Sequence, residues 1–285
     1  MSVDNLQNKI RKLKNPSMVM FCLDAAQAPP DYRTTCDEVG NYLLYAKALL
    51  TALQNTVPAV RFAIGTFAVA GASGMSALKE LLDTAAALEY YVLLEAPAIY
   101  TPGAAQLIAE QLENNWNYDG LLVNCYIGSE GVKPFADQLK SNEKDLFVAM
   151  RTANKSASEI QDLLTGTRLV YTVVADMAKR LGEEVMGRGG YSRIAGVGPA
   201  TSADALQQLR LKYPAMFLLV DGYDYSGANA KNCSAAFDKF GHGAVACAAD
   251  SIVGAWQEDN GDPLELAVLA AEKMKKNLNR YLDIL

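Results

Sequence analysis

Apolar and β-branched residues along the chain gather into eight short runs, each followed by a longer stretch with helical spacing. The runs are strands near 17–23, 59–64, 90–94, 120–124, 146–150, 193–197, 216–220 and 243–248. Strands that alternate with helices in this way form parallel sheets covered by crossover helices. Eight of them is the number that closes a (β/α)8 barrel. Thr101-Pro102 and Asp262-Pro263 each place a capping side chain before a proline at the first helical position, so a helix is expected after both. In the second, Leu264, Ala267, Val268, Ala271, Met274, Leu278 and Tyr281 recur at helical spacing and predict one face packed on the barrel.

No linker or low-complexity tract interrupts the pattern. The 285 residues therefore read as a single α/β domain over 1–285, a (β/α)8 TIM barrel. Apolar residues make up 51% and charged residues 20%, which suits a buried core and argues against disorder. With 26 basic residues against 32 acidic, the net charge is −6 and no basic run occurs, so nucleic acid is not an expected partner. Neither a signal-peptide layout at the start nor an apolar run long enough for a membrane span is present, and a cytoplasmic, soluble protein is the expectation. Cys22, Cys36, Cys125, Cys233 and Cys247 show no paired spacing, so buried free thiols are expected rather than a disulfide framework or zinc site.

Barrels of this kind work at the carboxyl ends of their strands. That selects Asp24, Gly65 to Phe67, Glu95, Asn124, Tyr126, Arg151 to Asn154, Gly198, Asp221 to Ser226 and Asp250. His242, the single histidine, precedes the eighth strand and belongs to the opposite face. Gly187-Arg188-Gly189-Gly190 precedes a strand, where a phosphate-cradling loop would follow one, so it reads as a plain connection.

Several blocks at these positions resemble the orotidine 5'-phosphate decarboxylase family, in its longer bacterial subfamily. They are Cys22-Leu23-Asp24, Pro58-Ala59-Val60-Arg61, Val123-Asn124-Cys125-Tyr126-Ile127-Gly128 with Lys133-Pro134-Phe135, and Arg151-Thr152-Ala153-Asn154 with Glu159-Ile160-Gln161-Asp162-Leu163. The resemblance covers almost the whole chain and implies a barrel fold, dimers with sites at the interface, and a nucleotide decarboxylase ancestry in pyrimidine biosynthesis. It also implies where chemistry has changed. The family's Asp-x-Lys-x-x-Asp array with a following Thr stands here as Glu95, Pro97, Tyr100 and Ala104, and its second-strand Lys as Arg61. A guanidinium keeps its protons at any accessible pH and proline has none to give, so neither replaces the lost proton donor.

The resemblance likewise places Ser226 at the family's phosphate-gripping Gln and Asp250 at its Arg, with Asp221 and Asp224 added nearby. Unit charges about 5 Å apart in an effective dielectric near 20 interact by roughly 3 kcal/mol. Exchanging Arg for Asp is thus expected to weaken dianion binding by about a thousandfold.

No residue is assigned as catalytic, and neither a cofactor nor a metal is called for, although Asp24, Asp221, Asp224 and Asp250 together would suit a divalent cation. Ligand-binding candidates are Asp24, Arg61, Glu95, Asn124, Thr152, Asn154, Tyr223, Ser226 and Asp250. Glu95 reads as a general base or as a partner of Arg61. Tyr100, Tyr126, Tyr223 and Tyr225 read as an aromatic floor for a ligand or as filler for vacated space. Thr152 and Asn154 read as pyrimidine contacts, on the resemblance, or as a self-stabilised turn. The foremost reading is a pseudoenzyme that forms a homodimer and pairs with a catalytic homologue or another pathway enzyme. A barrel with a new, non-phosphorylated small-molecule ligand or reaction stands second, and an active decarboxylase third.

Overall fold

Each of the eight apolar runs becomes a strand, and the eight strands pair in parallel around a closed barrel. This computed structural model describes residues 3–139 and 144–282. The strands are β1 Ser17–Phe21, β2 Ala59–Ala63, β3 Tyr91–Glu95, β4 Gly120–Asn124, β5 Asp145–Ala149, β6 Ser192–Pro199, β7 Met216–Asp221 and β8 Ala244–Ala248. Neighbours in the chain are neighbours in the barrel, and β8 closes onto β1 through Ser17 opposite Ala246. Helices Glu38–Leu53, Gly71–Ala87, Pro102–Asn115, Ser129–Gln138, Val170–Gly182, Ala203–Lys212 and Pro263–Asn279 form the outer layer with shorter turns between them.

Because successive side chains on a strand point to opposite faces, alternate residues sort into two cores. Val60, Phe62, Val92, Leu94, Val123 and Val148 point outward against the helices. Met18, Ala59, Tyr91, Phe147, Phe217 and Val245 point inward and fill the lower barrel. Space there is tight: a Cβ on Gly120 would stand 2.5 Å from the Tyr91 hydroxyl, so only glycine starts β4 beside that ring.

One element has no counterpart among the expected runs. Val3–Leu13 is an amphipathic helix whose Val3, Leu6 and Ile10 join the inward core and plug the amino-terminal end of the barrel. A second unforeseen feature is a short antiparallel hairpin, Leu164–Thr165 with Arg168–Leu169, turned at Gly166 with φ 66°.

The expected caps form as read. Thr101 Oγ1 accepts from Ala104 N at 3.2 Å, and Asp262 Oδ1 accepts from Leu264 N and Glu265 N at 2.9 and 3.0 Å. Ala267, Ala271, Met274 and Leu278 of the last helix are buried, with Leu264 and Val268 packed partly against them. Tyr281 departs from that face: the helix ends at Asn279, and the ring lies exposed beyond it. Cysteine burial also differs from expectation, since Cys36 sits exposed in a connecting loop and Cys22 is only half-buried. No described helix is long and apolar enough to cross a membrane.

Candidate functional site

Strand parity brings together side chains that are far apart in sequence. Arg61 on β2, Glu95 at the end of β3 and Asp221 at the end of β7 all continue the inward rows upward. Arg61 is only 5% exposed. Its two terminal nitrogens are divided between the carboxylates: Nη2 donates to Glu95 Oε2 at 2.7 Å and Nη1 to Asp221 Oδ1 at 2.9 Å. Burial works against the charge, yet Asp221 and Glu95 outweigh it and hold the guanidinium above its ordinary value. Glu95 therefore adopts the ion-pair role of its two readings.

Asp221 is turned into this contact by the glycine after it. Gly222 has φ 81° and its amide donates back to Asp221 Oδ1 at 3.0 Å. Any side chain there would also meet the Ala153 methyl and the Tyr225 ring, at 2.4 and 2.5 Å from its Cβ.

Two thiols complete the upper layer. Burial pushes Cys22 up to about 11, against the pull of Arg61, and burial likewise raises Cys247 although Arg61 opposes it. Both therefore stay protonated at neutral pH and are poor nucleophiles. The acid–base content at the centre of the mouth is one permanent cation, two paired carboxylates and two protonated thiols.

The remaining candidates surround this centre without converging on it. Asp24 caps the short turn that follows β1 by accepting from Ala26 N at 2.9 Å. Asp224 accepts from the Ala249 amide, and Asp250 from Gln27 Nε2 at 2.7 Å. The four aspartates that would suit a cation thus each hold a different protein group. Asn124 turns back onto the Tyr126 amide at 2.9 Å. Ser226 lies exposed in the loop after β7.

Thr152 and Asn154 form a local polar turn. Thr152 Oγ1 meets Asn154 Oδ1 at 2.6 Å and takes a hydrogen from Gln161 Nε2 at 2.9 Å, while Asn154 Nδ2 donates to Ser156 Oγ at 3.0 Å. Beside them Arg151 makes a bidentate pair with Asp162, both contacts at 2.8 Å. This stitching explains why the Arg151 block and the Gln161-Asp162 block accompany each other. The turn reading accounts for every one of these contacts.

The aromatic floor does not form. Tyr100 is 81% exposed and Tyr126 82%, and Tyr225 is exposed as well, so only Tyr223 packs partly against the core. The first two project from the loops after β3 and β4, where the barrel supplies no wall to cover a ring. Pro97 and Ala104 lie in the same region, Ala104 with its amide given to the Thr101 cap.

Sequence reading missed Cys247 and Gln27 as parts of the site. Alternation along β8 would have found the first, since Val245 and Cys247 share the inward parity. Nothing local in Ala25-Ala26-Gln27 announces a hydrogen bond to a residue 223 positions away.

Comparisons with known proteins agree over nearly the full chain. The orotidine 5'-phosphate decarboxylase of Clostridium perfringens (strain 13 / Type A) is 27% identical over 285 residues, covering 98% of each chain. That of Clostridium novyi (strain NT) is 25% identical over 284 residues, again covering 98% of each. Among solved structures, the OMP decarboxylase of Leishmania donovani superposes with TM-score 0.78 at 23% identity, over 99% of both chains. The orotidine 5'-monophosphate decarboxylase of Plasmodium berghei gives 0.79 at 11% identity over 98% of this chain and 99% of that one, a likeness of fold alone. No protein-family model matches the chain.

Proposed function

We propose that the chain is a pyrimidine-biosynthesis homologue of the orotidine 5'-phosphate decarboxylase family whose barrel no longer decarboxylates and acts as a non-catalytic or regulatory partner. The observation that carries this reading is the closed triplet of Arg61, Glu95 and Asp221 at the barrel mouth. Protonating a carbon as carbon dioxide leaves needs an acid that can release a proton. Arg61 cannot release one, Pro97 has none, and burial raises Cys22 and Cys247 so that both give up a proton less readily than an ordinary thiol.

Phosphate binding is proposed to be lost with the reaction. Asp250 stands where the resemblance places a gripping arginine, and Asp221 and Asp224 keep further negative charge beside it. Purified protein mixed with orotidine 5'-phosphate is expected to turn it over no faster than buffer. Uridine monophosphate is expected to give no saturable heat in calorimetric titration up to about a millimolar. Turnover approaching an ordinary enzyme rate, about 10 per second, or micromolar nucleotide binding would end this reading.

A homodimer is proposed to form through the mouth. Tyr100, Tyr126 and Leu107 leave large apolar surface exposed on adjacent elements there, an arrangement that marks contact surfaces. Introducing Tyr100→Glu and Tyr126→Glu together is expected to convert a dimer to a monomer in light scattering after size-exclusion chromatography. A wild-type chain that runs as a monomer at micromolar concentration would exclude the pairing.

One observation favours a second reading, a barrel with a new non-phosphorylated ligand. Arg61 Nε has no hydrogen-bond partner among the described residues, and Glu95 and Asp221 keep 35% and 28% of their side chains open. An unmet donor between carboxylates suits a small neutral or cationic polar molecule. Stabilisation in a thermal shift by amines or polyols, and by no phosphate, is the result this reading requires.

A further inference from the structure

The opposite end of the barrel holds an open pocket of about 800 Å³ that the mouth chemistry leaves unused. It lies between the amino-terminal helix and the loop before β6, and its wall includes Asp4, Gln7, Arg11, Arg188, Arg193 and His242. The protein as a whole carries −6, yet this wall sets three guanidiniums against one carboxylate. We propose that the pocket binds a compact oxyanion carrying two or more negative charges, of the polyphosphate or polycarboxylate class.

Gln7 is the central observation. It is 8% exposed, and its Oε1 accepts from the Gly243 amide at 2.9 Å. That contact orients the side-chain amide and leaves Nε2 buried with no hydrogen-bond partner among the described residues. A buried donor without an acceptor is costly, so a residue kept in this state points to an acceptor group supplied from outside.

The single acidic side chain of the wall does not oppose an anion. Asp4 Oδ2 accepts from the Arg188 amide at 2.7 Å and Oδ1 from the Gly189 amide at 2.8 Å, so both oxygens are directed into the loop. Its effect is to hold the Arg188 loop against the helix.

Arg193 adds charge from the floor of the pocket. Its Nε is 3.9 Å from Asp145 Oδ1 and its Nη2 donates to the Lys144 carbonyl at 2.7 Å. Burial pushes Asp145 up to about 8, with the Tyr91 hydroxyl, the Val3 amide and Arg193 pulling the other way. At neutral pH that acid is mostly protonated. Asp238, next to His242, is occupied by the Tyr191 hydroxyl at 2.8 Å and the Phe240 and His242 amides at 2.8 and 2.9 Å.

Three parts of the scaffold meet here: the helix that plugs the barrel, the loop before β6 and the turn before β8. A bound anion would bridge them and tighten the plug. The proposal does not depend on what the mouth does.

Titration of the full-length protein with inorganic pyrophosphate and, separately, citrate at physiological ionic strength tests it. At least one is expected to bind saturably with a dissociation constant of about a millimolar or below. Arg188→Ala removes an exposed side chain and is expected to fold normally and to weaken that binding about fivefold. Gln7→Glu keeps the acceptor for Gly243 and replaces the unmet donor with an oxygen, so it is expected to weaken binding about tenfold or more, with circular dichroism reporting the fold. No saturable binding of either probe overturns the proposal, as does Arg188→Ala binding as tightly as the wild type. The Arg188 result decides alone if the Gln7 variant does not fold.

Discussion

Replacing Arg61 with methionine is expected to destabilise the protein by about 3 kcal/mol, seen as a fall of about 6 °C in Tm. The cost is not simply two lost hydrogen bonds. Arg61 is 5% exposed and sits between two carboxylates that depend on it. Truncating it leaves Glu95 and Asp221 facing each other across an apolar thioether with their shared cation gone. Breaking a buried ion pair typically costs about 3–5 kcal/mol, and the lower end applies because the carboxylates reach solvent at 35% and 28% and are partly screened.

The same argument predicts recovery when the charges leave together. The triple variant Arg61→Met, Glu95→Gln, Asp221→Asn is expected within about 1 kcal/mol of wild type, because no uncompensated charge remains. Chemical denaturation of the single and triple variants measures both. A single variant as stable as wild type would mean the triplet is solvated in solution, and the mouth would then be open to an anion after all.

Stability is also expected to fall as pH rises from 5 to 8, by up to about 4 kcal/mol, on account of Asp145 alone. Its carboxyl moves from an ordinary 3.8 in the unfolded chain to about 8 in the fold, chiefly through burial, with the Tyr91 hydroxyl, the Val3 amide and Arg193 opposing. Between those values the folded chain binds more protons than the unfolded one. The sign is therefore negative: the contribution is complete below about 4, declines through the neutral range, and is gone once pH passes the folded value.

Asp145→Asn keeps an oxygen that accepts from Tyr91, now 2.7 Å from the carboxylate, and carries no charge. Subtracting the variant's Tm profile from that of the wild type isolates this group from the other titrations. The expected difference is a wild type that matches the variant near pH 5 and falls behind it by pH 8. Parallel profiles would show that Asp145 is ionised across the range, with Arg193 as a full partner.

Much of the architecture is legible in the sequence because strands and caps are local. Val and Leu runs such as Gly120 to Asn124 take strand geometry wherever they sit, and Thr101-Pro102 caps a helix with atoms three residues apart. The plugging helix was missed although Val3, Leu6, Ile10 and Leu13 recur at helical spacing, and nothing local says that such a stripe covers a barrel end. Tyr281 was misplaced for the reverse reason: helical spacing continues in the sequence after the helix itself has stopped at Asn279.

The mouth divides in the same way. That Glu95 would pair with Arg61 was readable, because a long guanidinium side chain and a carboxylate two residues apart in register on adjacent strands have few alternatives. That Asp221 would take the other half of the guanidinium was not, since 160 residues separate the two and the contact exists only once the barrel has closed. The tyrosines followed no sequence rule at all: a ring becomes a floor only if walls converge on it, and Tyr100 and Tyr126 project where none do.

What the chain determined by itself was the kind and order of its elements, its net charge, and the residue types delivered to each strand end, because these depend on neighbours a few positions apart. Tertiary structure decided which charges cancel, which thiols are buried, and that a helix, a loop and a turn from three distant segments enclose a basic pocket beneath the barrel. Those outcomes rest on distances and desolvation, and neither exists until the eighth strand meets the first.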